Sequence, residues 1–147
     1  MSWLLDVNVL VALFWPNHTH HGAALKWFLA HRSQGWATCT LTELSFLRIS
    51  MSAAAAKNAL TFTDAQRLLQ ANISTPLHEF WPLDYSPAAM LPEIQQRIRG
   101  RQQVPDALLL DLAIRHNAKL ATFDRGIVHL MPERSAHLRA VETIASP

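Results

Sequence analysis

Short, nearly unbroken apolar runs alternate along this chain with longer stretches in which apolar positions recur every third or fourth residue. The first pattern marks a strand buried on both faces and the second an amphipathic helix. Leu4-Leu5, Trp36-Ala37-Thr38-Cys39, Glu79-Phe80-Trp81, Lys119–Phe123 and Val141–Ile144 read as strands. Between them, Asp6–Phe14 turns from strand to helix with Asn8 as an N-cap, and Pro16 ends it. A polar loop, Asn17–Gly22, leads to a helix through Ala24, Leu25, Phe28 and Leu29 that Gly35 closes. Thr40 starts a helix through Phe46, Leu47 and Ile49, and Thr63-Asp64 starts one through Ala65, Leu68 and Leu69 that ends before Pro76. Ser86-Pro87 opens a helix through Met90, Ile94 and Ile98, closed by Gly100. Pro105 opens the helix through Leu108, Leu112 and Ala113. Ala53–Ala56 with Lys57-Asn58 reads as a frayed helix end or a connection. Strands alternating with helices predict an α/β fold: a central parallel sheet of four to five strands covered by helices on both faces. Ligands of such folds bind beyond the carboxyl ends of the strands.

Composition narrows the class. The 147 residues suit a single domain, 1–147, and half are hydrophobic, enough for a full core without staples. Cys39 is the one cysteine, which excludes an intramolecular disulfide and a cysteine-based zinc site and suits a reducing cytoplasm. The apolar run near the start is too short to span a bilayer, carries Asp6 and has no basic stretch before it, so neither a membrane segment nor a signal peptide is expected. A net charge of +2 permits an anionic partner without demanding one.

Candidate chemistry lies in acids at element ends. Asp6 interrupts the first apolar run and is either a turn cap or a ligand, with Asn8 beside it. Glu43 stands three residues after Thr40, which is a capping-box spacing and also faces the crevice. Asp106 follows Pro105 in a first helical turn, where the helix dipole favours a negative charge. Asp124 ends the strand Lys119–Phe123 and either begins a turn or joins the others. Asp111 lies about 140° around the helix from Asp106 and four residues before Arg115, so it reads as half of a surface ion pair. In a parallel sheet the first four share one edge. Two like charges 4 Å apart repel by about 4 kcal/mol at an effective dielectric of 20, so a converging group needs cations or protons. Oxygen ligands alone favour Mg²⁺ or Mn²⁺, a combination that suits phosphate-ester hydrolysis.

Leu5-Asp6-Val7-Asn8-Val9-Leu10, the Glu43 helix, Val104-Pro105-Asp106-Ala107-Leu108-Leu109 and Ala121-Thr122-Phe123-Asp124 stand in the order and spacing of a PIN domain. The chain more closely resembles the VapC-type toxins of bacterial toxin–antitoxin pairs, over essentially its whole length. The resemblance implies a Mg²⁺- or Mn²⁺-dependent endoribonuclease, inhibited by a VapB-like antitoxin that inserts a C-terminal segment into the active-site groove, and often dimeric. By motif match it makes Asp6 and Asp106 the direct metal ligands. Glu43 and Asp124 complete the acidic site, and Asn8 and Thr122 support it. Pro105 and Arg125-Gly126 depart from the pattern, the latter where relatives often carry a further polar or acidic residue.

A ribonuclease must hold a polyanion beside an acidic site. Arg97, Arg99 and Arg101, just before Asp106, and Arg48 and Arg125, near Glu43 and Asp124, are the RNA-binding candidates, each equally readable as a solvated face. His18, His20 and His21 lack an evident fourth ligand and read as a polar helix entry. The tryptophans are core by spacing, except that Trp15 and Trp81, beside prolines, are candidates for a dimer or antitoxin surface. Two other functions are compatible with the fold. One is a phosphatase using Asp6 as nucleophile, against which Asn8 stands where a general acid belongs. The other is a non-catalytic RNA- or partner-binding module.

Overall fold

The computed structural model describes residues 1–52 and 59–146, so the alanine run and Lys57-Asn58 lie outside the described residues. Five strands form one sheet: β1 (Trp3–Leu5), β2 (Trp36–Cys39), β3 (His78–Trp81), β4 (Lys119–Thr122) and β5 (Val141–Thr143). All pairings are parallel, in the order β3-β2-β1-β4-β5. The α/β architecture with a parallel sheet is therefore as expected, at the upper strand number. The central strand, β1, holds Leu4 level with Ala37 on one side and Leu120 on the other.

Six α-helices accompany the sheet: α1 (Val7–Phe14), α2 (His21–His31), α3 (Thr40–Ser50), α4 (Phe62–Ile73), α5 (Pro92–Gln95) and α6 (Gln103–Arg115). The two-residue period of the strands divides the core into two layers. Leu4, Ala37, Cys39 and Leu120 pack with Ala107, Leu110 and Ala113 of α6, while Trp3, Leu5, Trp36 and Ala121 pack with Val9, Leu10, Phe46 and Leu69. Strands buried on both sides cannot alternate polar and apolar residues, which is why they read as continuous runs.

Several local expectations shift. Helix α1 is capped by Asp6, not Asn8: the Asp6 carboxylate accepts from the Val7 N–H at 2.7 Å, and Asn8 lies exposed in the first turn. Helix α3 is not closed by a Thr40–Glu43 box. The Cys39 N–H donates to the Thr42 hydroxyl at 3.0 Å, which frees Glu43. The single helix expected from Ser86 to Gly100 is a 3₁₀ turn, Pro87–Ala89, and then the one-turn α5, because Pro92 restarts the chain at its own N-terminal position. Helix α6 begins at Gln103, leaving Pro105 still in the first turn, where no intrahelical bond is lost. Gly100 is not left-handed. Among the described residues positive φ occurs at Gly35 (90°), just before β2, and at Asn117 (50°), just past α6. Trp81 is buried, its indole stacked on the His116 ring at 3.9 Å, and offers no surface for a partner. Trp15 is partly buried against the second core layer.

Asp111 is the largest correction, since it is 0% exposed rather than on the surface. It accepts from the Tyr85 hydroxyl at 2.6 Å, the Leu91 N–H at 2.7 Å and Arg115 Nε at 2.7 Å. The Arg115 guanidinium also lies 3.8 Å over the Tyr85 ring. One carboxylate thus ties the irregular segment between β3 and α5 to α6. Replacing Asp111 with Ala should cost roughly 2–3 kcal/mol, since a buried N–H and a hydroxyl lose their acceptor. Arg115→Ala should shift the midpoint less than Asp111→Ala, because the Tyr85 hydroxyl and the Leu91 N–H keep their acceptor. Urea denaturation with an unchanged slope tests both, and an unshifted midpoint for Asp111→Ala refutes the tie.

Candidate metal centre

The carboxyl edge of the sheet gathers the element ends that carry acids. Asp6 leaves β1 and caps α1, and its N–H still donates to the Ala121 carbonyl at 3.0 Å, so the ladder runs one residue past the strand. That extra rung sets Asp6 beside Thr122, whose hydroxyl donates to Asp6 Oδ2 at 2.8 Å. Asp6 is 3% exposed and Thr122 is 0% exposed. A threonine hydroxyl carries one proton, and here one of its two lone pairs accepts from the Asp124 N–H at 3.0 Å, a partner to which it cannot donate. The proton is therefore committed to Asp6. Asp124 is exposed one residue beyond Phe123, and its Oδ1 accepts from the Gly126 N–H at 2.7 Å. A side chain at position 126 would crowd this turn, since a Cβ there would stand 3.1 Å from Asp124 Oδ1.

Asp106 comes from the other direction, in the first turn of α6, which runs back from this edge along the sheet. Its carboxyl is pushed up to about 6, first by burial and then by the charges of Asp6 and Asp124. Burial also raises Asp6, with Asp124 adding to the rise, against the lowering effect of the Thr122 and Val7 hydrogen bonds. Three of the four predicted acids therefore feel one another. Glu43 lies in the first turn of α3, after the neighbouring strand β2, and is held separately. Its Oε1 accepts from the Thr38 hydroxyl at 2.5 Å, and the same hydroxyl lies 2.8 Å from His78 Nε2. Thr38 closes the Gly35-Trp36-Ala37-Thr38 stretch that shares in the family resemblance, without a role attached to it, and His78 belongs to no motif. Their contact with Glu43 depends on the pairing of β2 with β3, which sequence spacing does not reveal.

The remaining candidates are more dispersed. Asn8 is exposed at the second position of α1. Arg97, Arg99 and Arg101 are exposed on the segment joining α5 to α6, not on a shared helix face. Gln103 Oε1 accepts from the Arg99 and Gly100 N–H groups, fastening that segment to the start of α6. Arg125 is exposed next to Asp124, and Arg48 lies in the last turn of α3, about 7.5 Å along the axis from Glu43. Among the described residues none of these five arginines is in an ion pair, nor is any of the four acids. His21 is engaged with the Ala12 carbonyl at 2.8 Å, and His20 packs on Phe123 with ring centroids 5.4 Å apart.

The donor set is all oxygen, partly buried, mutually repelling and unpaired with any cationic side chain among the described residues. A hard divalent cation meets each of those conditions. Among the described residues no group of three or more His, Cys, Asp or Glu side chains is placed to hold a metal ion. Mg²⁺, which takes one or two carboxylates and keeps its waters, needs no such group, whereas a Zn²⁺ site does.

Comparison with known proteins gives this arrangement a family. The PIN domain model matches residues 3–130. Ribonuclease VapC38 of Mycobacterium tuberculosis is 42% identical over 131 residues, 89% of this chain and 91% of the relative. Ribonuclease VapC39 of the same species is 39% identical over 127 residues, with 86% and 91% covered. The fold is similar to that in the crystal structure of VapBC2 from Rickettsia felis bound to a DNA fragment from their promoter (TM-score 0.63, 18% identity, 99% of this chain and 100% of that one). It is also similar to that of FitAcB from Neisseria gonorrhoeae (TM-score 0.59, 18% identity, 85% and 89%). With nearly the whole chain spanned by one domain model and by relatives of this identity, and with the acids on one sheet edge, the chain belongs to the PIN domain family.

Proposed function

We propose that this chain is a divalent-metal-dependent endoribonuclease and the toxin of a VapBC-type toxin–antitoxin pair. The observation that carries the reading is the convergence of Asp6, Asp106 and Asp124 on one sheet edge with no cationic partner among the described residues, where burial first and then the charges of Asp6 and Asp124 raise Asp106. Relatives named ribonucleases, matched over nearly their full length, supply the reaction class. In this reading Asp6 and Asp106 hold Mg²⁺ or Mn²⁺. When bound there, such a cation would supply charge to offset the phosphoryl oxygens and a more acidic water. Glu43 and Asp124 orient the attacking water at the phosphodiester, while Thr122 keeps Asp6 turned toward the site. Arg97, Arg99, Arg101 and Arg125 line the approach of the RNA backbone, and their charge offsets what the acids repel. Arg48, more than a turn from Glu43, contributes less.

The partners follow from the same reading: RNA as substrate, a VapB-like antitoxin as inhibitor and a second copy of the chain in a homodimer. A phosphatase using Asp6 is disfavoured, since Asn8 stands where its general acid would be needed and lies exposed on a helix. Among the described residues no helix is long and apolar enough to cross a membrane.

With Mg²⁺ and a structured RNA, Asp6→Asn and Asp106→Asn should each lower cleavage roughly a hundredfold or more, several kcal/mol of transition-state stabilisation at about 1.4 kcal/mol per tenfold. Undiminished cleavage by both variants, or equal cleavage in EDTA, refutes the assignment. Charge reversal at Arg101 should weaken RNA binding and flatten its salt dependence with less effect on turnover, as measured by titration at several ionic strengths.

The protonation of Asp106 provides a test that needs no substrate. In metal-free protein its carboxyl should titrate near 6, against an ordinary 3.8. The folded value lies above the unfolded one, so between them the folded chain keeps a proton that the unfolded chain has released. Its contribution to stability is therefore greatest below the unfolded value and declines as pH rises through about 6. Carboxyl ¹³C titration should show the midpoint falling in Asp124→Asn and on adding Mg²⁺. A wild-type midpoint at the ordinary value contradicts the arrangement.

A further inference from the structure

We infer that His78, acting through Thr38, is the positioning residue that orients Glu43 for RNA hydrolysis. The inference rests on the ribonuclease reading and extends it to two side chains on strands β2 and β3. Glu43 is the site acid with the least support from its own surroundings, since its capping role passes to Thr42 and its Oε2 has no hydrogen-bond partner among the described residues. What holds it is the Thr38 hydroxyl on Oε1 at 2.5 Å. An ionised carboxylate only accepts, so the Thr38 proton points at Glu43. The contact with His78 Nε2 at 2.8 Å must then run the other way, with the imidazole N–H donating to a Thr38 lone pair.

This assigns the histidine proton to Nε2, the group that faces Thr38. A hydroxyl that accepts one hydrogen bond is polarised toward donating the next, so His78 strengthens as well as directs the grip on Glu43. Thr38 is 0% exposed, which leaves water no route to replace the donor. His78 is itself fixed: its backbone N–H donates to the Thr75 carbonyl at 3.1 Å and its ring meets Trp36 edge-on at 4.6 Å between centroids. Burial lowers its pKa from the ordinary 6.5, consistent with a neutral ring carrying one proton.

The arrangement repeats the one at Asp6. There Thr122, equally buried, donates to a site carboxylate because the Asp124 N–H occupies one of its lone pairs. In both cases a strand threonine carries the proton and a second donor removes its freedom to turn. The difference is that a backbone amide performs this at Thr122, whereas at Thr38 a side chain does, so the device is open to mutation.

Three variants separate positioning from packing. His78→Leu removes the donor, His78→Gln keeps an N–H donor at about the same reach but loses the ring on Trp36, and Thr38→Val removes the relay. With Mg²⁺ and RNA, His78→Leu and Thr38→Val should each lower kcat on the order of tenfold with KM little changed. His78→Gln should recover most of the loss, and the double variant His78→Leu/Thr38→Val should be no slower than Thr38→Val alone. Thermal midpoints of all the variants control for folding. In metal-free wild type, ¹⁵N NMR should find the His78 proton on Nε2, protected from exchange, and unprotected in Thr38→Val. Wild-type turnover in His78→Leu, a His78→Gln as slow as His78→Leu, multiplying losses in the double variant, or a proton on Nδ1 overturns the inference while leaving the ribonuclease reading intact. A wild-type protein that cleaves no RNA overturns the reading itself, whatever the NMR result.

Discussion

The end of the central strand carries a carboxylate that the fold has almost closed off from water. An unpaired charge in that position is among the costliest things a core can hold, and burial accordingly raises the pKa of Asp6. What makes it tolerable is geometric. The Asp6 N–H prolongs the β1–β4 ladder by one rung, so Thr122 stands alongside, and the chain then turns into α1, bringing the Val7 N–H onto the other oxygen. Strand order, register and the immediate strand-to-helix turn all serve this one residue. The register that pairs Leu4 with Leu120 and Leu5 with Ala121 is the same one that pairs apolar faces in both core layers, so the core and the acidic edge cannot be shifted independently.

Buried threonines then take on a role that their polarity alone would not suggest. A hydroxyl is free to rotate and indifferent between donating and accepting, which makes it a poor director of anything. Filling one of its lone pairs with a fixed donor removes that indifference. At Thr122 the donor is the Asp124 N–H, so the position of one acid in the chain controls the proton that holds another. The coupling among Asp6, Asp124 and Asp106 is thus partly through space and partly through this hydroxyl.

Features carried by local sequence were legible, and features carried by strand pairing were not. The apolar runs at Leu4-Leu5 and Trp36–Cys39 announced strands because burial on both faces leaves little room for polar residues. The acids at element ends were visible for the same reason, as interruptions of those runs. Asp111 was misread because its partners, Tyr85 and the Leu91 N–H, come from a segment 20 or more residues away, while Arg115, four residues on, offered an adequate local explanation. The split of the Ser86–Gly100 helix was readable in principle from Pro92 but was outweighed by the apolar spacing of Met90, Ile94 and Ile98. Glu43 shows the limit most clearly. A capping-box spacing was present, yet the hydroxyl that actually engages it belongs to Thr38 on the preceding strand, and the histidine behind that belongs to a strand pairing no local pattern encodes.

Helix α6 carries two aspartates five residues apart, and comparing them separates a structural acid from a chemical one. Asp111 is wholly buried and receives three donors, a hydroxyl, a backbone amide and a guanidinium, so its charge is matched within the fold. Asp106 is less buried, yet burial and then two further negative charges push its carboxyl up to about 6, and it receives no hydrogen bond among the described residues to offset them. Selection for stability alone would have no reason to keep it there, since a neutral residue in that first turn would relieve the repulsion. A charge that the fold leaves uncompensated is one that something outside the fold must compensate. By that criterion depth of burial is a poor guide to function along this helix. The count of donors is the better one, and it singles out Asp106.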